Sequence, residues 1–459
     1  MYGSGMTMRI AITGGGLGGL TLARILHLHG IDAVVYERDA HRAARSQGGM
    51  LDLHPETGQL ALAEAGLTER FRSEARPEGA EHRVLDPTGR VLVHHTPEPG
   101  SFSGRPEIDR RVLRDLLLDS LPDETVAWGH RLTAATPRPG GGFTLTFHDG
   151  HRTECDLLVG ADGARSVVRP LLTDVTSSHV FTLVEWNISD ADHHHPALAE
   201  LVGAGNLWCV GVNRLLAAQR LGDGNLRVGA SLRTAADPDT YRDPGALREV
   251  FEGWDPRLTA LIDAADGPPV PRGIEAVPTD TRWTNRPGVT LIGDAAHLMP
   301  PVGEGANQAM RDAAELARAL VASPTDPDAA IRDYEAEMFA RIRPVAEMSA
   351  RVQAMMLSPT AAEDITRFFT VPVESGSNLT PPSPGCPETS GVRHTMPPCQ
   401  WICSRVRRSV TSRRGWPGTS GCSAARRPSC PTTWRRCGSW RNTASSTSNT
   451  CRNTRATHS

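Results

Sequence analysis

Residues 9–26 read Arg9-Ile10-Ala11-Ile12-Thr13-Gly14-Gly15-Gly16-Leu17-Gly18-Gly19-Leu20-Thr21-Leu22-Ala23-Arg24-Ile25-Leu26. An apolar run, a cluster of glycines and a second apolar run predict a strand, a tight turn and a helix. Gly14, Gly16 and Gly19 fit the pattern G-x-G-x-x-G. Its glycines permit the turn, let the backbone approach a pyrophosphate, and let the helix pack closely on the strand. Phosphates suit the exposed N–H groups at the start of such a helix. A second strand, Ala33-Val34-Val35-Tyr36, ends in Glu37, about 20 residues on, where an acid that binds a ribose belongs. Glycines alone mark only a turn. Strand, helix, second strand and acid together point to a dinucleotide.

The chain has 459 residues, room for two or three domains or one large interleaved unit. Its near-neutral charge hides two unlike parts. Up to Glu388 there are 36 arginines and 52 acids, whereas from Thr389 onward there are 13 arginines and no acid. An acidic body gives no electrostatic reason to expect nucleic acid. Only Cys155 and Cys209 precede residue 380, which suggests a reducing compartment and no disulfide framework. The body also lacks the C-x-x-C of a flavin disulfide reductase. No secretory leader is evident at the N-terminus, and no apolar run reaches the ~20 residues that span a bilayer. A cytoplasmic monomer that binds neither nucleic acid nor membrane is expected.

Farther along, Gly48-Gly49 precedes Met50-Leu51-Asp52-Leu53-His54 and suggests a turn against a ligand. Gln59 to Ala65 reads as a helix. His82 to His95 reads as a hairpin around Asp86-Pro87-Thr88-Gly89. Ile108 to Leu118 reads as a helix with Asp109 as N-cap and Leu113, Leu116 and Leu117 on one face. Val126 to Leu132 and Phe143 to Phe147 are strand-like. The run Asp156 to Val159 ends in Gly160-Ala161-Asp162-Gly163, a buried strand meeting a tight loop. Residues 178–275 carry strand-like runs at Val180–Trp186, Leu207–Val212 and Leu226–Leu232 with little helix, as in an inserted, mainly antiparallel sheet. His193-His194-His195 reads as a solvated loop, not a metal site.

The α/β pattern resumes at Val289 and reaches Gly293-Asp294-Ala295-Ala296-His297, then Pro300-Pro301-Val302-Gly303-Glu304-Gly305-Ala306-Asn307. A helix follows from Gln308 to about Ala322, opened by a glycine-rich loop that can offer N–H groups to an anion. From Asp328 a long helix is expected. Ile331, Tyr334, Met338, Ile342, Val345, Met348, Val352 and Met355 recur on one face, and its methionines read as packing. After Phe369 the sequence turns to Pro, Ser, Thr, Arg, Cys and Trp without period, an expected low-order tail outside the catalytic body. The expected plan is a Rossmann-type α/β frame interleaved with an antiparallel sheet domain. Dinucleotide-binding parts would span 6–75, 105–177 and 276–325, substrate-domain strands 76–104, a substrate-binding sheet 178–275, the C-terminal helix 326–369 and the tail 370–459.

Gly14-x-Gly16-x-x-Gly19 with Glu37-Arg38, Ile108-Asp109-Arg110, Asp162-Gly163 and Gly293-Asp294, in that order, resemble the FAD-dependent aromatic hydroxylases, the class A flavoprotein monooxygenases. The likeness covers about residues 6–369. Tyr36-Glu37-Arg38-Asp39, Gly48 to His54, Pro106 to Arg110 and Gly293 to Pro301 resemble the tetracycline-modifying members in particular. The resemblance implies FAD and NADPH as cofactors. Glu37 would bind the adenosine ribose, and Arg38 and Arg110 the diphosphate or flavin. Asp162 and Gly163 would shape the cofactor loop, and Asp294 would bind the ribityl hydroxyls. The loop holding Pro301, Gly303, Gly305, Ala306 and Asn307 would stabilise the reduced ring. Arg45 would meet the nicotinamide cofactor and Asp52 the flavin.

The implied reaction is hydride transfer to FAD, capture of O₂ as a C4a-hydroperoxide, and oxygen transfer to a phenolic or polycyclic aromatic, tetracycline-like antibiotics among them. The cofactor carries that chemistry, so no catalytic side chain and no metal is assigned. At three positions where the tetracycline-modifying enzymes carry Gln, Arg and His, this chain has Glu185, Leu207 and Arg227; Glu185 and Arg227 are the candidate substrate contacts. The alternative is a flavoprotein that sequesters such a ligand without oxygenating it. A tryptophan-halogenase reading lacks its lysine.

Overall fold

The computed structural model describes residues 8–44, 48–98 and 104–370. Arg45 and residues 371–459, both subjects of expectations above, lie outside them. Ile10–Thr13 is the middle strand of a five-stranded parallel sheet, ordered Val289–Leu291, Leu157–Gly160, Ile10–Thr13, Ala33–Tyr36 and Val126–Ala127. Register sets Ile12 between Val159 and Val35, and none of the three has exposed surface. Burial on both faces is what uninterrupted apolar runs supply, and each such side chain contributes roughly 1.5–3 kcal/mol. Helix Leu17–Leu28 crosses helix Gly305–Ala322 at Gly18, where a Cβ would stand 3.0 Å from Ala309 O.

The second large layer is a seven-stranded sheet, ordered Val270–Ala276, Ser178–Ile188, Leu226–Leu232, Arg214–Arg220, Asn206–Gly211, His82–Leu85 and Val91–His95. All its pairs are antiparallel except Asn206–Gly211 with His82–Leu85. The strands alternate with period two. Val184, Trp186, Leu207, Leu216 and Val228 pack with Phe251, Trp254, Leu258 and Leu261 of the short helices behind the sheet. Leu183, Glu185, Trp208, Ala217, Gln219 and Arg227 line a cavity on the other face. The expected α/β frame with an inserted antiparallel sheet is therefore present.

Several expectations need correction. Val126–Leu132 is not one strand: Val126–Ala127 edges the parallel sheet, Gly129 at φ +75° turns the chain, and Leu132–Pro137 joins Phe143–Phe147 and Arg152–Cys155 in a separate antiparallel sheet. Ile108 and Asp109 belong to strand Glu107–Asp109, paired with Met50–Asp52, so the helix begins at Arg110. Asp109 makes no cap hydrogen bond there and instead accepts Gly222 N at 3.1 Å. Residues 178–275 hold four short helices, Ala191–His194, Pro196–Val202, Pro244–Val250 and Pro256–Asp263. The last three were signalled by Pro at N1 and, for the last two, by the capping residues Asp243 and Asp255. His193 and His194 thus sit in a helical turn, and no group of His, Cys, Asp or Glu among the described residues could hold a metal ion. The C-terminal helix is two, Pro327–Met356 and Ala361–Thr370.

Candidate active site

One cavity of about 1110 Å³ runs from the carboxyl ends of the parallel strands to the inward face of the seven-stranded sheet. Single small-molecule pockets are typically about 300–1,000 Å³, so this volume suits a cofactor and a second molecule together. Gly14, Gly16, Gly19, Glu37, Arg38, Asp52, Arg110, Asp162, Gly163, Glu185, Arg227, Asp294, Pro301, Gly303, Gly305 and Ala306 all line it.

Each glycine of the turn answers a different constraint. Gly14 has φ +110°, and a Cβ there would stand 2.3 Å from Ala161 O; at Gly19 it would stand 2.1 Å from Gly14 O. These two make the turn and the helix–strand contact. Gly16 differs: a Cβ there would meet no described atom within 4 Å. Its free side is the cavity, at the start of helix Leu17–Leu28, where N–H groups lack intrahelical partners.

Glu37 is buried, and its carboxylate accepts Gly15 N at 2.6 Å and Asp39 N at 2.9 Å. It braces the turn and retains lone pairs for a further donor. Asp162 accepts Val167 N at 2.7 Å through Oδ2, while its buried Oδ1 has no hydrogen-bond partner among the described residues. Burial pushes this carboxyl up from its usual range. Asp294 opens the single turn Asp294–His297 directly after Gly293, whose φ of +59° and ψ of −140° lift the carboxylate into the cavity.

Gly303, at φ +97°, brings the following loop onto helix Gly305–Ala322, so Gly305 and Ala306 present that helix's first N–H groups. Asn307 is fully buried and ties this loop to the chain after Asp52. Its Oδ1 accepts His54 N at 3.0 Å, Thr57 Oγ1 at 3.2 Å and Gly58 N at 3.3 Å, and its Nδ2 donates to the carbonyls of Asp52 at 2.9 Å and Gly303 at 3.1 Å. What Asn307 can offer a ligand is therefore backbone, not side chain.

Sequence reading missed two buried features. Asp312 accepts Gly293 N at 2.8 Å, meets His297 Nε2 at 2.6 Å and Arg341 at 2.5 Å, and lies under the Gly293–Asp294 turn. The signal was an acid on the apolar face of a helix, beside Ala313 and Leu316. Glu107 stands opposite Asp52 in the Met50–Asp52/Glu107–Asp109 pair, and both are buried on the cavity wall. Burial first, and then the Asp52 charge, hold the Glu107 carboxyl well above its usual range.

At the other end the walls are apolar and aromatic: Phe181, Trp208, Leu215, Phe368 and Phe369. Trp208 meets His82 edge-on at 4.5 Å, and burial pushes His82 down to about 3, so its ring is neutral. Glu185 and Arg227 pair across this wall, with Arg227 Nη2 and Nε 2.5 and 3.2 Å from Glu185 Oε1. Leu207 is corrected: it packs behind the sheet, and its neighbours Asn206 and Trp208 face the cavity. A one-residue step along a strand reverses the face.

A family model described as FAD binding domain matches residues 7–349. The chain belongs to this FAD-binding family. The 3-amino-4-hydroxybenzoate 2-monooxygenase PtnB3 of Streptomyces platensis is 32% identical over 346 residues, covering 73% of this chain and 85% of that protein. The crystal structure of Klebsiella pneumoniae HpxO complexed with FAD and uric acid shares 25% identity at a TM-score of 0.65, covering 78% and 92% of the two chains. The tetracycline destructase Tet(51) shares the fold, at 18% identity and a TM-score of 0.62 over 79% and 95%. Family membership and the named monooxygenases among its relatives make the protein an FAD-dependent monooxygenase of the aromatic hydroxylase type. None of its described helices is long and apolar enough to cross a membrane.

Proposed function

We propose that the protein uses NAD(P)H and O₂ to hydroxylate a phenolic or polycyclic aromatic small molecule, a class that includes tetracycline-like antibiotics. The observation that carries this reading is the single cavity joining the glycine turn to an aromatic-walled chamber. Its residues fit FAD: open space at Gly16, an orphaned buried oxygen on Asp162, and helix-start N–H groups at Gly305 and Ala306. Gly14, Gly16 and Gly19 would hold the diphosphate with Arg38 and Arg110, while Glu37 and Asp294 would hold the ribose and ribityl hydroxyls. Asp162 and Gly163 would shape the loop beside them. Bound FAD would relay an electron pair from NAD(P)H to O₂, so that one oxygen atom goes to an electron-rich ring carbon and the other leaves as water.

The chain's own work is positioning and exclusion of water. Residues 301–307 would set N–H donors against developing negative charge, with Asp52 near the ring. The aromatic wall and the Glu185–Arg227 pair would hold the substrate. A cytoplasmic monomer is part of this proposal.

Mass spectrometry of products from phenols, quinones and tetracyclines, with NAD(P)H oxidation followed in parallel, tests it. At least one ring should both stimulate oxidation and gain one oxygen atom. Ligand binding without either would instead fit a sequestering flavoprotein.

A further inference from the structure

The seven-stranded sheet places one acid and one cation where a substrate would lie, and uses them on each other. Glu185 stands opposite Gly229, which has no side chain, and Arg227 is two residues before Gly229 on the same strand. Arg227 can therefore fold diagonally across the gap and set two nitrogens on Glu185 Oε1. Arg272, from strand Val270–Ala276, meets the other carboxylate oxygen. Arg272 is half exposed and is not a lining residue of the cavity, whereas Glu185 and Arg227 are largely buried and both line it. The Arg227 stem also packs beside the Gly48–Gly49 turn, where a Cβ on Gly49 would lie 3.1 Å from its Cδ.

Arg227 is the only arginine that the seven-stranded sheet contributes to the described cavity lining, and His82 on the same wall is neutral. Other charged residues of the described cavity lining near this end are Arg110, across the Gly48–Gly49 turn, and the carboxyls of Asp52 and Glu107. An incoming carboxylate would have to displace Glu185 from Arg227 or sit near that acid with its own charge poorly compensated. Displacement would leave the largely buried Glu185 with Arg272 as its remaining cation, and weakening a buried ion cluster is disfavoured. A neutral hydroxyl or carbonyl meets no such barrier, because it can hydrogen-bond to Gln219, Asn206 or the outer guanidinium edge of Arg227 without displacing Glu185.

From this geometry we infer that Glu185 is a specificity-determining residue that closes the cavity to ring carboxylates and reserves it for uncharged aromatic substrates. The inference rests on the reading of this chamber as the substrate site.

A matched pair of probes tests it, 4-hydroxybenzoate and its methyl ester, with binding measured by equilibrium dialysis on FAD-loaded protein. The wild type should bind the ester at least tenfold tighter than the acid. Glu185→Gln, nearly isosteric, should raise the affinity for the acid relative to the ester at least tenfold. Glu185→Gln combined with Arg227→Gln should lose that gain. Melting temperature and flavin content identify any variant that has misfolded, and Glu185→Ala then serves as the second route to a freed Arg227. An acid-to-ester ratio that is near one in the wild type, or unchanged on removing Glu185, overturns the inference, as does failure of the acid to bind the Glu185 variants. The parent reading fails differently: no ring would stimulate NAD(P)H oxidation, whatever the binding ratio.

Discussion

Asp312, with no exposed surface, accepts the backbone N–H of Gly293 at 2.8 Å and thereby fixes the turn from which Asp294 projects. The same carboxylate holds His297 and Arg341, and Arg341 continues through Gln308 to Glu304. Helices Gly305–Ala322 and Pro327–Met356 are thus joined to the cofactor turn by charge-assisted hydrogen bonds.

Asp312→Ala should lower stability by about 2–4 kcal/mol, because it removes the acceptor of the Gly293 N–H and the partner of His297 and leaves buried Arg341 with Glu315 as its remaining carboxylate. Burial alone would raise the Asp312 carboxyl, but His297, Arg341 and the Gly293 N–H outweigh it and hold it at about 2. A depressed carboxyl contributes stability above its unfolded value near 3.9, lost as pH falls from about 4 toward 2. Urea denaturation between those limits should show a steeper loss for wild type than for Asp312→Ala.

Gly14 and Gly16 should separate folding from binding. Gly14→Ala forces a Cβ to 2.3 Å from a backbone oxygen at φ +110° and should prevent stable folding. Gly16→Ala meets no described atom within 4 Å, so the apo-protein should keep its melting temperature while FAD affinity falls roughly tenfold, about 1.4 kcal/mol. Flavin fluorescence titration beside differential scanning calorimetry reads both.

Asn307→Ala should cost about 2–4 kcal/mol, since it strands several buried donors and acceptors of the 52–58 segment at once. The loss should appear in chemical denaturation of protein without FAD, which separates this structural role from cofactor contact.

Glu107 carries the opposite sign from Asp312. Its carboxyl is held well above the usual range by burial and by Asp52. Between its unfolded and folded values the native state binds more protons, so stability falls as pH rises. Glu107→Gln removes that term and should gain stability relative to wild type as pH rises above the ordinary glutamate range, as read by urea midpoints at each pH.

Much of this site was legible because its signals are local. Gly14, Gly16 and Gly19, the acid at Glu37 and the Gly293-Asp294 turn each declare a backbone geometry within a few residues of themselves. The frame followed from uninterrupted apolar runs that only a sheet buried on both faces explains. The chamber wall was not legible, because period-two strands report which residues share a face but not which face meets the cavity. Trp208, beside Leu207, was passed over for that reason. Asp312 and Glu107 escaped notice because their partners are distant in sequence: Arg341 is 29 residues away and Asn206 99 residues away.

In the proposed function this cavity holds FAD and directs one atom of O₂ onto an aromatic ring. The direct measurement is product mass after turnover of FAD-loaded protein with NAD(P)H, a stimulating phenol or polycyclic substrate, and isotope-labelled O₂. The account predicts a product carrying one labelled oxygen, and none when the label is in water instead. A protein that retains FAD yet yields only unlabelled product, or label drawn from water, would contradict it.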